Sequence, residues 1–194
     1  QFDTIYHEHF SYFSLNCVNR IVNSVGLILA DVEELSTHGG SLRIWLAHKG
    51  SNVNYNSVKY ILEKELKFGL ETISVFKNFQ ERAQQCKFQL LEYLLEAKKN
   101  SKKVIGYGAA AKGNTLLNFA GIKQDLISAV ADKSPSKQGK YLPGSHIPII
   151  DPIKIKTEKP NSLLVLPWNL IEEISKEFKD YKLVTAIPRL KIRS

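Results

Sequence analysis

The second half of the chain reads as an α/β domain whose parallel sheet is wound on both faces. Short apolar runs of strand length, Val104–Tyr107, Leu126–Ala131, Ser162–Leu166 and Lys182–Ile187, alternate there with helical or loop segments such as Asn114–Ala120 and Asn169–Phe178. A glycine-rich turn, Gly106-Tyr107-Gly108, stands between the leading run and a helix. The residues ahead of it keep a different rhythm, a helix, two strands and then a long helical stretch, which marks a separate body.

In chain order, Leu15, Val18, Val22 and Val25 fall at helical spacing behind Ser14 as a cap and ahead of Gly26 as a terminator. Leu27–Leu35 and Ser41–His48 read as strands, the second alternating Leu42, Ile44 and Leu46 on one face, with His38-Gly39-Gly40 as the turn. A helix followed by such a hairpin is expected to close a larger sheet whose other strands lie upstream. From Ser57 to Asn100 the pattern is helical, with Phe76, Phe79, Ala83, Cys86, Leu90, Leu94 and Ala97 as a packing stripe. The lysine-rich Lys98–Lys103 ends it. The expected organisation is a helix and hairpin over 1–50, a helical connector over 51–100 and the parallel-sheet domain over 101–194.

With 194 residues, 43% of them hydrophobic and 24% charged, the chain can bury one substantial core or two modest ones, so disorder is excluded as a default. No apolar run reaches the length of about 18 residues that a membrane span needs, and no basic-then-apolar leader opens the chain, so a soluble, cytoplasmic protein without a membrane partner is expected. The pattern begins in midstream at Gln1 and the sequence holds no methionine, so upstream sequence is expected. Cys17 and Cys86 have no partner at metal-ligand spacing and read as small core residues in a reducing compartment.

The formal charge of +8 is uneven: residues 1–97 hold 9 Lys/Arg against 11 Asp/Glu, residues 98–194 hold 18 against 8. A basic second half attracts phosphate, as nucleic acid, nucleotide or nucleoside diphosphate. Nucleic acid is disfavoured, because no aromatic cluster shares a basic face.

Gly106-Tyr107-Gly108-Ala109-Ala110-Ala111 fits the G-x-G-x-x-G/A pattern of the Rossmann turn, in the strand-to-helix setting that pattern requires. Glycines let backbone approach a phosphate, and the next helix end offers free N–H groups. Lys112, Gly113, Asn114 and Thr115 continue the turn with further donors, and Asp132 closes the second strand where an acid meets a ribose hydroxyl. Ligand contacts are therefore expected at Gly106, Gly108, Ala109, Ala110, Lys112, Gly113, Asn114, Thr115 and Asp132. The plainer reading, a tight turn and nothing more, stays open. The loop Lys133–Ser145 is long enough to close over a ligand.

At the other end, Tyr6-His7-Glu8-His9 and the flanking Tyr12 crowd two histidines, a carboxylate and two phenols together. Histidine exchanges protons near neutral pH, and a nearby carboxylate or phenol can orient it or hold an oxyanion, so the set suffices for enolisation beside a carbonyl. Metal binding by His7 and His9 from one face of an extended segment, and simple packing of a surface edge, are the alternatives.

The segments Gln1–Tyr12, His38-Gly39-Gly40-Ser41-Leu42-Arg43 and Gly106–Thr115, taken in order, resemble the successive signatures of S-adenosylmethionine-dependent deoxysugar C-methyltransferases. The resemblance implies a zinc-binding region and a class I methyltransferase domain upstream, with residues 15–48 as that domain's last elements and residues from about 101 as a Rossmann-like domain for the nucleotide sugar. It implies methylation at C3 of a 4-keto sugar on a nucleoside diphosphate, with His9 as the base, Tyr6 and Glu8 in support, and an enolate that takes the methyl group. His38 and Arg43 become candidates for substrate contact. S-adenosylmethionine is expected to bind mainly upstream, and zinc only there. Oligomeric state is not readable, and an NAD-type dinucleotide or redox module is the rival reading of the Gly106 turn.

Overall fold

The computed structural model describes residues 2–193, and the chain divides into two compact units. Residues 10–80 form one; residues 1–9 together with 81–194 form the other. These limits differ from boundaries at 50 and 100: the leading nine residues join the parallel-sheet unit, and the helical stretch is shared between the units.

In the smaller unit, α1 (Leu15–Ser24) starts at Ser14, whose hydroxyl accepts from the Cys17 N–H, as the sequence predicts. Strands β1 (Leu27–Leu35) and β2 (Ser41–His48) pair antiparallel with the expected bounds. Helix α2 (Asn56–Phe68) ends at Gly69 in the left-handed region, so the helical stretch is interrupted there, and a single turn, α3 (Ser74–Lys77), follows. Leu15, Val22, Leu29, Val32, Val58 and Ile61 make the core.

The larger unit opens with a 3₁₀ turn at Phe2–Thr4 and resumes in α4 (Phe79–Lys99) from Glu81. Then come β3 (Val104–Tyr107), α5 (Ala111–Ala120), β4 (Val130–Ala131), β5 (Ile149–Ile150), α6 (Ile155–Glu158), β6 (Ser162–Val165), α7 (Ile171–Glu177), β7 (Leu183–Thr185) and β8 (Lys191–Arg193). The sheet order is β5-β4-β3-β6-β7-β8, parallel throughout except for β8. This is the α/β, Rossmann-like, mostly parallel sheet that the alternation predicts.

Along each strand, side chains alternate between faces. Val104, Leu164 and Val184 meet α4 and α5 through Ala83, Cys86, Leu90, Leu94, Leu116 and Leu117. Ile105, Tyr107, Leu163, Val165 and Leu183 meet Ile155, Ile174 and Phe178 on the other face. Each fully buried leucine contributes about 1.5–3 kcal/mol relative to exposure. Of the predicted stripe, Ala83 to Ala97 is buried, whereas Phe76 and Phe79 are exposed.

Three predicted elements change. The strand at Leu126–Ala131 is only Val130–Ala131, because Leu126 and Ile127 donate their N–H groups back to the Lys123 carbonyl in a turn. Strands β5 and β8, too short for periodicity to register, complete the sheet. The loop Lys133–Ser145 is tied down, with the Gly139 N–H bonded to the Ile149 carbonyl and the Ile149 N–H to the Lys140 carbonyl.

Candidate functional site

The strand order reverses between β3 and β6, since the chain leaves β3 for β4 on one side and returns to β6 on the other. In open α/β sheets the crevice beyond the carboxyl ends of two such strands is where ligands bind. Here it is bounded by the Gly108–Ala110 turn after β3 and by Leu166-Pro167-Trp168-Asn169 after β6.

The leading segment of the chain is anchored at this edge. Phe2 is part of the α4/α5 core and its ring lies 5.0 Å from that of Phe119. The Trp168 indole N–H donates to Asp3 Oδ2 at 2.7 Å, and the Thr115 hydroxyl divides its proton between the Ala111 carbonyl at 3.2 Å and the Ile5 carbonyl at 3.3 Å. Backbone bonds from the Ile5, Tyr6 and His9 N–H groups to the Phe2, Thr4 and Tyr6 carbonyls coil the segment on itself.

This coil sets the histidine. His9 Nδ1 lies 2.9 Å from the Thr4 carbonyl oxygen. A carbonyl can only accept, so Nδ1 carries the proton and Nε2 of the neutral ring keeps its lone pair. The ring packs against Tyr6 at a centroid distance of 4.3 Å. His9 is exposed and Tyr6 half-buried. Glu8 is exposed and lies 4.0 Å from His7 Nε2, an ion pair when His7 is protonated.

At the glycine turn, several of the groups expected to meet a phosphate are engaged by the protein. The Ala109 N–H donates to Asp132 Oδ2 at 2.6 Å and the Ser134 N–H to Asp132 Oδ1 at 2.8 Å. Lys137 Nζ donates to the Ala109 carbonyl at 2.9 Å and lies 3.5 Å from Asp132 Oδ2. Gly106 lies within β3 against Val130, Gly108 faces the Pro167 ring, and Gly113 sits against Leu166, where a Cβ would come within 2.7 Å. The Ala110 N–H bonds to the Gly108 carbonyl. Lys112 is buried and its Nζ donates to Asn169 Oδ1 at 2.9 Å, 5.2 Å from the Trp168 ring centroid. Asn114 Oδ1 is buried without a hydrogen-bond partner.

The structure thus brings Tyr6 and His9 onto the unit that carries Lys112 to Thr115. Arg43 belongs to the other unit, where it pairs with Glu33 across the hairpin at 3.0 Å. His38 opens no such comparison, because its side chain lies outside the described residues. Asp3, Trp168 and Asn169 were not singled out by sequence reasoning. Their signal was position: Trp168-Asn169 follows a strand of a parallel sheet at its carboxyl end, the edge where such sheets carry their sites.

At the glycine turn after β3, Asp132 takes the Ala109 N–H and the Pro167 ring occupies the space beside Gly108. Among the described residues no group of three His, Cys, Asp or Glu side chains could hold a metal ion, and no helix is long and apolar enough to cross a membrane. Cys17 is exposed and Cys86 buried, its thiol donating to the Pro188 carbonyl at 2.9 Å, and burial pushes that thiol's pKa up. Alkylation of the native protein at neutral pH is therefore expected to label Cys17 at least about 10-fold faster than Cys86. Peptide mapping measures the two rates, and equal rates would contradict the burial.

Fold and contacts together define a Rossmann-like α/β domain whose leading segment, tied to the loop after β6, carries a histidine bonded to the Thr4 carbonyl. Residues 36–188 match the family model for the C-methyltransferase C-terminal domain, and the chain belongs to that family. It is also 35% identical over 182 residues to C-methyltransferase NovU of Streptomyces niveus, an alignment covering 93% of this chain and 43% of the relative. The chain therefore spans under half the length of that curated relative.

Proposed function

We propose that the whole protein methylates C3 of a 4-keto nucleoside-diphosphate deoxysugar, and that this chain supplies the base and much of the sugar-nucleotide surface. The observation that carries the reading is the Nδ1-to-Thr4 bond of His9. It leaves Nε2 as a fixed proton acceptor on an exposed ring, which is what removal of a proton beside a ketone requires. Tyr6, packed at a tilt against that ring, is the candidate donor to the oxyanion that forms when the proton leaves. The excess of Lys/Arg over Asp/Glu in residues 98–194 suits a diphosphate. Helix α1 and the hairpin β1–β2 are read as the end of a methyltransferase domain that binds S-adenosylmethionine with residues other than these. Family membership in the C-methyltransferases favours this reading over an NAD module, and so does the engagement of Asp132 with Ala109 in place of a ribose.

The test is solvent exchange. A C4 ketone acidifies both C3–H and C5–H, so the full-length protein in deuterated water, given a thymidine diphosphate 4-keto-6-deoxysugar without methyl donor, is expected to wash out hydrogen at C3 alone. Exchange confined to C5, or tight binding of NAD with no response to the sugar nucleotide, would sink the proposal.

A further inference from the structure

We infer that Asp3 and Trp168 form a clamp that positions His9, an inference that rests on the reading of His9 as the base. Asp3 is 1% exposed, an unusual place for a carboxyl group. Its Oδ2 takes the Trp168 indole N–H at 2.7 Å, while its Oδ1 is buried with no hydrogen-bond partner. A carboxyl group kept in the interior on one hydrogen bond is a poor stability device, since burying a polar group costs free energy unless its bonds are made. Its position gives a better reason for it. The neighbouring Thr4 supplies the carbonyl that fixes the His9 ring.

The bracket is two-sided. On one side of Thr4, Asp3 is held by Trp168, whose ring has Lys112 Nζ over it and whose neighbour Asn169 takes that amine. On the other side, the Ile5 carbonyl lies 3.3 Å from the Thr115 hydroxyl of α5, sharing its single proton with the Ala111 carbonyl at 3.2 Å. The peptide that orients the base is thus tied to the loop after β6 through Asp3 and touches the helix after β3 through Ile5. An error of about 1 Å in a reacting group costs on the order of 100-fold in rate, so a clamp at this peptide has a large lever on catalysis. Asp3 and Trp168 act through Thr4 and are positioning residues.

The experiment uses the full-length protein, with the His9 tautomer read by nitrogen NMR of histidine-labelled samples and turnover read separately. In the wild type, His9 is expected to show one neutral tautomer protonated at Nδ1. In Asp3→Ala and in Trp168→Phe, which keeps the ring and removes only the N–H, that signature is expected to give way to a mixture. kcat is expected to fall by about 10- to 100-fold with KM within about twofold. Asp3→Asn, whose amide oxygen still accepts from the indole, is expected to restore both. A single Nδ1-protonated tautomer in Trp168→Phe overturns the clamp, and so does a loss of kcat with the tautomer intact. Should Asp3→Ala fail to fold, Trp168→Phe carries the test. If His9→Gln leaves C3 exchange untouched, the base assignment falls instead, and the tautomer measurement still decides the clamp.

Discussion

His9→Gln is expected to lower C3 exchange and methyl transfer by about 10²- to 10⁴-fold, the range typical of losing a positioned general base. The side chain is exposed, so its removal leaves no cavity, and the segment keeps the Phe2, Asp3 and Ile5 anchors that hold it to the sheet unit. Glutamine can still donate an amide N–H toward the Thr4 carbonyl, yet it offers no basic nitrogen at the place of Nε2. Affinity for the nucleotide sugar is therefore expected to stay within about threefold while kcat collapses, the pattern of a group that acts in the transition state alone. His9→Gly with added imidazole is expected to recover part of the exchange. Exchange within twofold of wild type in His9→Gln would remove this residue from the chemistry.

The neighbouring residues differ in what they touch within the same segment. Glu8 is exposed and its carboxyl lies 4.0 Å from His7 Nε2. Within the coil closed by the Tyr6 N–H on the Thr4 carbonyl and the His9 N–H on the Tyr6 carbonyl, the carboxyl of Glu8 lies beside His7. Tyr6 and His9, three positions apart, do meet.

What the sequence made legible is what local pattern encodes. The hairpin bounds came out as predicted because alternation and a glycine turn are both short-range, and α1 because Ser14 is a cap with one job. Strand β4 registers but reads four residues too long at its start, and β5, of 2 residues, carries too little pattern to register; both are placed by parallel neighbours. The site was half legible on the same grounds. Tyr6 and His9 announce themselves as adjacent reactive groups. The Asp3–Trp168 bond closes a separation of 165 residues, for which no spacing rule exists. The same holds for Asp132, whose partner Ala109 lies 23 residues earlier, so that an acid read as a ribose contact fastens the turn itself.

The glycines of that turn give the second large expected effect. Gly108→Ala is expected to destabilise the protein by about 2–6 kcal/mol, combining about 1–3 for a side chain in the left-handed region with about 1–3 for overpacking. Gly108 has φ +85°, and a Cβ there would fall 2.5 Å from Pro167 Cδ and 2.7 Å from Cγ, atoms of a rigid ring that cannot swing aside. Gly121→Ala is the control: its φ is +73°, but nothing lies within 4 Å of its Cβ, so only the backbone part of the cost remains. Thermal unfolding of the two variants should therefore differ markedly, with Gly108→Ala the less stable. The comparison also decides why the turn is glycine-rich. If Gly108 is small because Pro167 is near, the variant loses stability and its KM follows only as far as folding does. If instead Gly108→Ala melts like Gly121→Ala while KM for the nucleotide sugar rises by an order of magnitude, the space over this turn belongs to a phosphate and the packing account fails.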